Sequence, residues 1–150
     1  MAAGAHVIFN AFWGRLGEGE YDIASDTFKL GIVDDTITPL ITDTTPTWSD
    51  YSANEVSGTG YTTGGETLTT VTWTESPAGV WTMDSDNIVI AYNVAGFGDG
   101  YWGILYDDTH GSGEAFSFID LGGPVGNDSE ALQINVPALG WFSLQRLATV

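Results

Sequence analysis

The sequence predicts a mainly β protein: an antiparallel β-sandwich or a jelly-roll-like barrel, with one short N-terminal helix. Three observations predict it. Apolar residues alternate at period two in short runs, turn-forming residues recur about every ten to fifteen positions, and only one stretch has helical periodicity. No helix separates the strand candidates, which argues against a βαβ fold. At 150 residues the chain fits one domain that buries roughly 70% of its unfolded surface.

The helical stretch is residues 5–16, where Ala5, Ile8, Phe9, Phe12, Trp13 and Leu16 follow the spacing of a single stripe. It has no strong N-cap, and Gly14 and Gly17 are expected to end it, so packing must hold it. The apolar run 28–33 is the first strand candidate, closed by Asp34-Asp35. Residues 68–74 and 79–83 place Val71, Trp73, Trp81 and Met83 at alternate positions. Residues 87–92 put Ile88, Ile90 and Tyr92 on one face, runs 101–106 and 116–121 are rich in aromatics, and Leu132, Ile134 and Val136 alternate with polar residues. Residues 141–147 form a possible closing strand. Asp99-Gly100, Gly111-Ser-Gly113, Gly122-Gly123-Pro124 and Gly126-Asn127-Asp128 read as connectors, and residues 34–51, rich in Thr, Asp and Pro, read as a long surface loop.

Three cations, Arg15, Lys29 and Arg146, stand against 20 acids, a net charge of −17. Affinity for nucleic acid comes from Lys and Arg displacing counterions, so nucleic acid is not an expected partner, and neither is an anionic membrane surface. With 43% hydrophobic residues the chain is not a disordered acidic tail. There is no cysteine, no apolar run long enough to cross a membrane as a helix, and no signal-peptide pattern at the start.

Catalytic chemistry is not legible. His6 falls on the expected helix and His110 in an Asp-Asp-Thr-His-Gly turn, neither beside a nucleophile-elbow sequence or with the paired spacing of a zinc site. Asp84-Ser-Asp86 and Asp107-Asp108 are the acidic turns common to acidic β proteins, with at most the chemistry of a weak calcium site. No phosphate loop is present, because Gly58-Thr-Gly60 and Gly96-Phe-Gly98 lack the following helix and lysine. Trp48, Tyr51, Tyr61, Trp73, Trp81 and Trp102 offer sugar-stacking rings, though alternating strand positions suit most of them to a core. The expectation is a binding or assembly module with no catalytic residue, cofactor or metal.

One stretch stands apart. In SANEVSGTGYTTGGETLTT, glycines on both sides of Tyr61 let the chain reverse tightly before a threonine-rich run suited to a half-buried pleated surface. The order VIFNAFWGRLGEGEYDIASDTFKLGIV, then NEVSGTGYTTGGETLTTVTW, then AYNVAGFGDGYWGILYDD resembles a group of small bacteriophage virion structural proteins, over residues 7 to about 120. The resemblance implies a capsid decoration, or cement, protein on the outer capsid surface of the virion. It would bind the major capsid protein lattice and form a homo-oligomer, a trimer being the simplest. Another virion component (a head-tail connector or tail protein) and a carbohydrate-binding β module are the alternatives. The expected partner-binding residues are Pro46, Trp48 and Tyr51 at the end of the long loop, Tyr61 and Thr62 in the glycine loop, and Trp141 and Phe142 near the chain end.

Overall fold

In the computed structural model, which describes residues 4–146, the elements run β1 (His6–Ile8), α1 (Asn10–Glu18), β2 (Phe28–Val33), α2 (Trp48–Tyr51), β3 (Glu66–Thr67), β4 (Thr72–Glu75), β5 (Val80–Asp84), β6 (Ile88–Ile90), β7 (Gly100–Asp107), β8 (Ala115–Val125), β9 (Leu132–Ile134) and β10 (Phe142–Gln145). The fold is mainly β and sandwich-like. A five-stranded sheet in the order β1-β8-β7-β2-β3 packs against two smaller sheets, β10-β5-β4 and β6-β9, and every pairing is antiparallel. Among the described residues these sheets stay open at their edges, which favours the sandwich over the closed barrel.

Both faces of the large sheet are covered. Phe28, Leu30 and Ile32 of β2 point toward the small sheets, where Met83, Ile88, Ile90, Leu132, Ile134 and Phe142 complete the main core. Val33, Ile104, Tyr106 and Phe118 point the other way, under Phe9, Ile37, Trp48 and Tyr51. Residues 34–51 are therefore a cover for the second face as well as a surface connection. Two-sided burial explains why β2, β7 and much of β8 read as nearly continuous apolar runs. A bulge adjusts the faces: Leu105 pairs with Ser117 and Tyr106 with Ala115, leaving Phe116 without an opposite residue. Phe116 thereby turns toward Phe12, Tyr21, Phe28 and Phe142 in the main core.

The expected helix over 5–16 divides. His6–Ile8 pairs with Ile119, Phe118 and Ser117 at the open edge of β8, and the helix starts only at Asn10. Sheet pairing satisfies the backbone of Val7 and Ile8, β-branched residues better suited to a strand. Gly14 and Gly17 lie inside or near the end of α1 without breaking it. Gly19, at φ +81, ends it, with its N–H on the Leu16 carbonyl and the Glu20 N–H on the Arg15 carbonyl.

Three further expectations are corrected. The expected strand 68–74 is broken at Thr70, whose φ is +54, and the chain leaves the large sheet there for the small one. The Thr69 and Thr70 hydroxyls donate to the Asp86 carboxylate at 3.2 and 2.6 Å, which holds this non-glycine residue in the left-handed region. Gly122-Gly123-Pro124 lies within β8 at an irregular pairing with β7, and is not a turn. Tyr92 is exposed beyond the end of β6, away from the buried face of Ile88 and Ile90. The final strand is Phe142–Gln145, and the last position of its expected range, Leu147, lies outside the described residues.

Candidate functional site

The glycine motif is built around Tyr61. Its ring is buried against Phe97, 5.4 Å between centroids, and its hydroxyl reaches the backbone of β2 near the end of that strand. There it accepts from the Ile32 N–H at 2.9 Å and donates to Glu55 Oε1 at 2.8 Å. The same carboxylate oxygen accepts from the Gly64 N–H at 2.7 Å, so Glu55 closes the loop onto itself. Burial first, then the neighbouring Glu55 carboxylate, pushes the Tyr61 phenol well above its ordinary range, which keeps it a neutral donor. Gly65 sits at φ +92, and a Cβ there would lie 2.7 Å from the Leu30 carbonyl oxygen. Asn-Glu-Val-Ser-Gly-Thr-Gly-Tyr thus specifies an anchored loop in which the tyrosine is the anchor.

A second latch was not legible in the sequence. Asn127 is fully buried between two loops, and its amide donates to the carbonyls of Thr59 and Ala91, both at 2.9 Å, while its Oδ1 accepts from the Phe97 N–H at 3.1 Å. The Thr59 N–H adds a bond to the Ala95 carbonyl at 2.8 Å. The glycine loop and residues 91–97 are therefore one rigid unit. That unit holds Tyr92 and Val94 out in solvent, 55% and 81% exposed, with Thr62 exposed on the loop it is tied to.

The expected partner-binding residues divide unequally. Thr62 is exposed and Trp48 is half-buried, its ring stacked on Tyr106 at 5.1 Å with an interplanar angle of 3°. Pro46, Tyr51, Tyr61, Trp141 and Phe142 are buried, a correction to their expected surface role. Each fills a place that a long, nearly apolar ring or aliphatic ring fills better than water does. Tyr51 lies beneath the long loop with its hydroxyl on Asp43, and Phe142 packs edge-on against Phe12 at 4.8 Å. Trp141 donates its indole N–H to Ser85 Oγ at 2.9 Å. The aromatic rings still offered to solvent are on other residues, notably Trp13 and Trp81, which flank Trp73 and Phe142 at one rim of the sandwich.

His6, placed on β1 and not on a helix, packs against Trp141, ring centroids 5.5 Å apart and planes tilted by 59°, beside an open cavity of about 470 Å³ lined also by Gly4, Ile119, Val136 and Pro137. Its Nε2 is buried without a partner, and desolvation lowers its pKa to about 4.

The only group of three or more metal-ligating side chains among the described residues is Asp26, Asp107 and His110. Asp107 is the last residue of β7 and Asp26 precedes β2, so the β2–β7 pairing brings together carboxylates remote in sequence. The His110 Nε2 lies 3.8 Å from Asp107 Oδ2 and 3.9 Å from Asp26 Oδ2. Burial raises the Asp107 pKa to about 6, reinforced by Asp26 and opposed by the Thr109 N–H. Asp108 is not part of this group: it pairs with Lys29 at 2.7 Å. Asp84 and Asp86, the other acidic turn, are occupied by the Ser85 N–H and the threonine hydroxyls.

No helix among the described residues is long and apolar enough to cross a membrane. No known protein family, no curated protein and no solved structure matches this chain.

Proposed function

We propose that this chain is a bacteriophage capsid decoration (cement) protein. It seats on the outer surface of the major capsid protein lattice as a symmetric homo-oligomer, in the simplest case a trimer. The observation that carries the reading is the rigid unit of the glycine loop and residues 91–97, which displays Tyr92 and Val94 on an otherwise acidic chain. Exposed apolar side chains on a pre-ordered loop lose little conformational freedom on binding, which suits docking to an assembled protein surface. The net charge of −17 complements basic patches on a capsid exterior and gives the protein no affinity for the genome inside. A ligand that binds only the assembled lattice stabilises it by mass action, and many identical weak contacts around a symmetry axis multiply that effect.

The test is binding of the purified chain to expanded empty capsids of the phage that encodes it. Binding to capsids but not to free capsid subunits, with a higher capsid melting temperature, supports the reading. Its absence from particles that contain the shell overturns it, and a handful of copies per particle transfers it to a head-tail connector or tail station.

One observation favours a second reading, a carbohydrate-binding module. Trp13 and Trp81, 45% and 41% exposed, stand at one rim with Trp73 between Trp81 and Phe142, an arrangement on which sugar rings stack. Retention on a polysaccharide column that Trp81→Ala removes would favour it.

A further inference from the structure

We infer that Asp26, Asp107 and His110 form a binding site for a divalent transition-metal ion of the zinc class. Asp107 is wholly buried, and its Oδ2 has no hydrogen-bond partner. Leaving a carboxylate oxygen so placed is costly unless something positive meets it. That oxygen faces His110 Nε2 at 3.8 Å, and Asp26 Oδ2 stands 3.9 Å from the same nitrogen. These separations are too long for direct hydrogen bonds. They are a few tenths of an ångström wider than the ~3.4 Å edge that two ~2.1 Å bonds subtend at a tetrahedral zinc ion.

The surroundings hold these groups in place. Asp107 Oδ1 accepts from the Thr109 N–H at 2.8 Å, leaving Oδ2 for the ion. Asp26 Oδ2 accepts from the Asp22 N–H at 2.6 Å. The two backbone segments are tied by the Asp108 N–H on the Thr27 carbonyl and the Thr27 N–H on Thr109 Oγ1, at 2.8 and 2.7 Å. One nitrogen and two oxygens suit zinc or a neighbouring transition ion, whereas calcium and magnesium prefer all-oxygen shells. His110 is partly exposed, which gives the ion a route in and leaves a coordination position for water. Two carboxylates neutralise the dication, so the charge buried with Asp107 is balanced. The ion would also pin the turn whose Gly113 carbonyl accepts from the Trp48 N–H at 2.7 Å, coupling the site to the cover over the second face.

The full chain, freed of metal with EDTA and dialysed, is titrated with zinc chloride by calorimetry and by competition with a chromophoric chelator. His110→Ala, Asp107→Asn and Asp108→Asn are run beside it. Expected are one equivalent bound, a higher melting temperature, movement of the His110 imidazole proton signals but not those of His6, and affinity reduced about tenfold or more in His110→Ala. Asp108→Asn should bind as the parent does. His110 is at the surface and its replacement leaves the core untouched, so this variant decides the matter even if Asp107→Asn folds poorly. Equal affinity in His110→Ala, or unmoved His110 signals, would assign any bound zinc to general attraction by the acidic surface and overturn the site.

Discussion

Tyr61 Oη accepts a hydrogen bond from the backbone N–H of Ile32 at 2.9 Å, joining a loop side chain to strand β2 of the large sheet. β2 is flanked by β7 along its length; on its other side β3 pairs with Lys29 and Leu30, and residues 54–56 bond its far end, the Val56 N–H donating to the Ile32 carbonyl at 3.0 Å. Between β3 and that segment the tyrosine hydroxyl takes the place of a backbone acceptor for the Ile32 N–H. Tyr61→Phe removes the acceptor of a buried N–H and the donor to Glu55 while keeping the ring. It should cost about 1–3 kcal/mol, read as a lower urea midpoint with unchanged m-value.

Asn127→Asp tests the second latch. The replacement loses both amide donors and sets a carboxylate against the Thr59 and Ala91 carbonyls. A loss of about 3 kcal/mol or more is expected. Hydrogen exchange should accelerate first at Thr59, whose N–H is held by the Ala95 carbonyl.

Gly65 and Gly79 share a positive φ but differ in surroundings. A Cβ on Gly65 would meet the Leu30 carbonyl oxygen at 2.7 Å, whereas one on Gly79 would meet nothing within 4 Å. Gly79→Ala should cost only the left-handed strain of about 1–2 kcal/mol. Gly65→Ala should cost clearly more, because sheet backbone must move. Comparable thermal shifts in the two variants would contradict this account.

His6 makes stability depend on pH with a definite sign. Its folded pKa of about 4 lies below the ordinary 6.5, so the unfolded chain takes up the proton first as pH falls. Nothing is lost above 6.5, stability declines between about 6.5 and 4, and the loss levels off below the folded value. The full effect is at most about 3 kcal/mol, reduced to the extent that water reaches the ring. Titrating carboxylates overlie this window, so the quantity to measure is the difference in unfolding free energy between the parent and His6→Gln across it.

Tyr92→Ser combined with Val94→Asp addresses the proposed docking surface. Both side chains are exposed and outside the core, so the melting temperature should change little. Binding to expanded capsids should fall at least about tenfold, the equivalent of about 1.4 kcal/mol. Undiminished binding would move the contact to another face.

Periodicity located most strands because alternation at period two reflects one buried face, as in Ile88 and Ile90 or Leu132 and Ile134. It misplaced the helix start because His6–Ile8 is held by an edge of β8 formed more than a hundred residues later in the chain. Thr70 misled in the same way, since its left-handed backbone rests on Asp86. The surface placement expected of Tyr51, Tyr61 and Trp141 was wrong for a related reason: a loop aromatic shows no local sign of whether a sheet face lies beneath it.

Composition and local pattern by themselves determined a mainly β, strongly acidic chain with a glycine-jointed turn around Tyr61, because these properties depend on residue type and nearest neighbours. Only the tertiary structure decided that Tyr61 faces inward, that Asn127 joins two loops, and that Asp26 meets Asp107 and His110. Each of these depends on antiparallel pairing that sets distant segments side by side, and such a contact leaves no mark on the local order of residues.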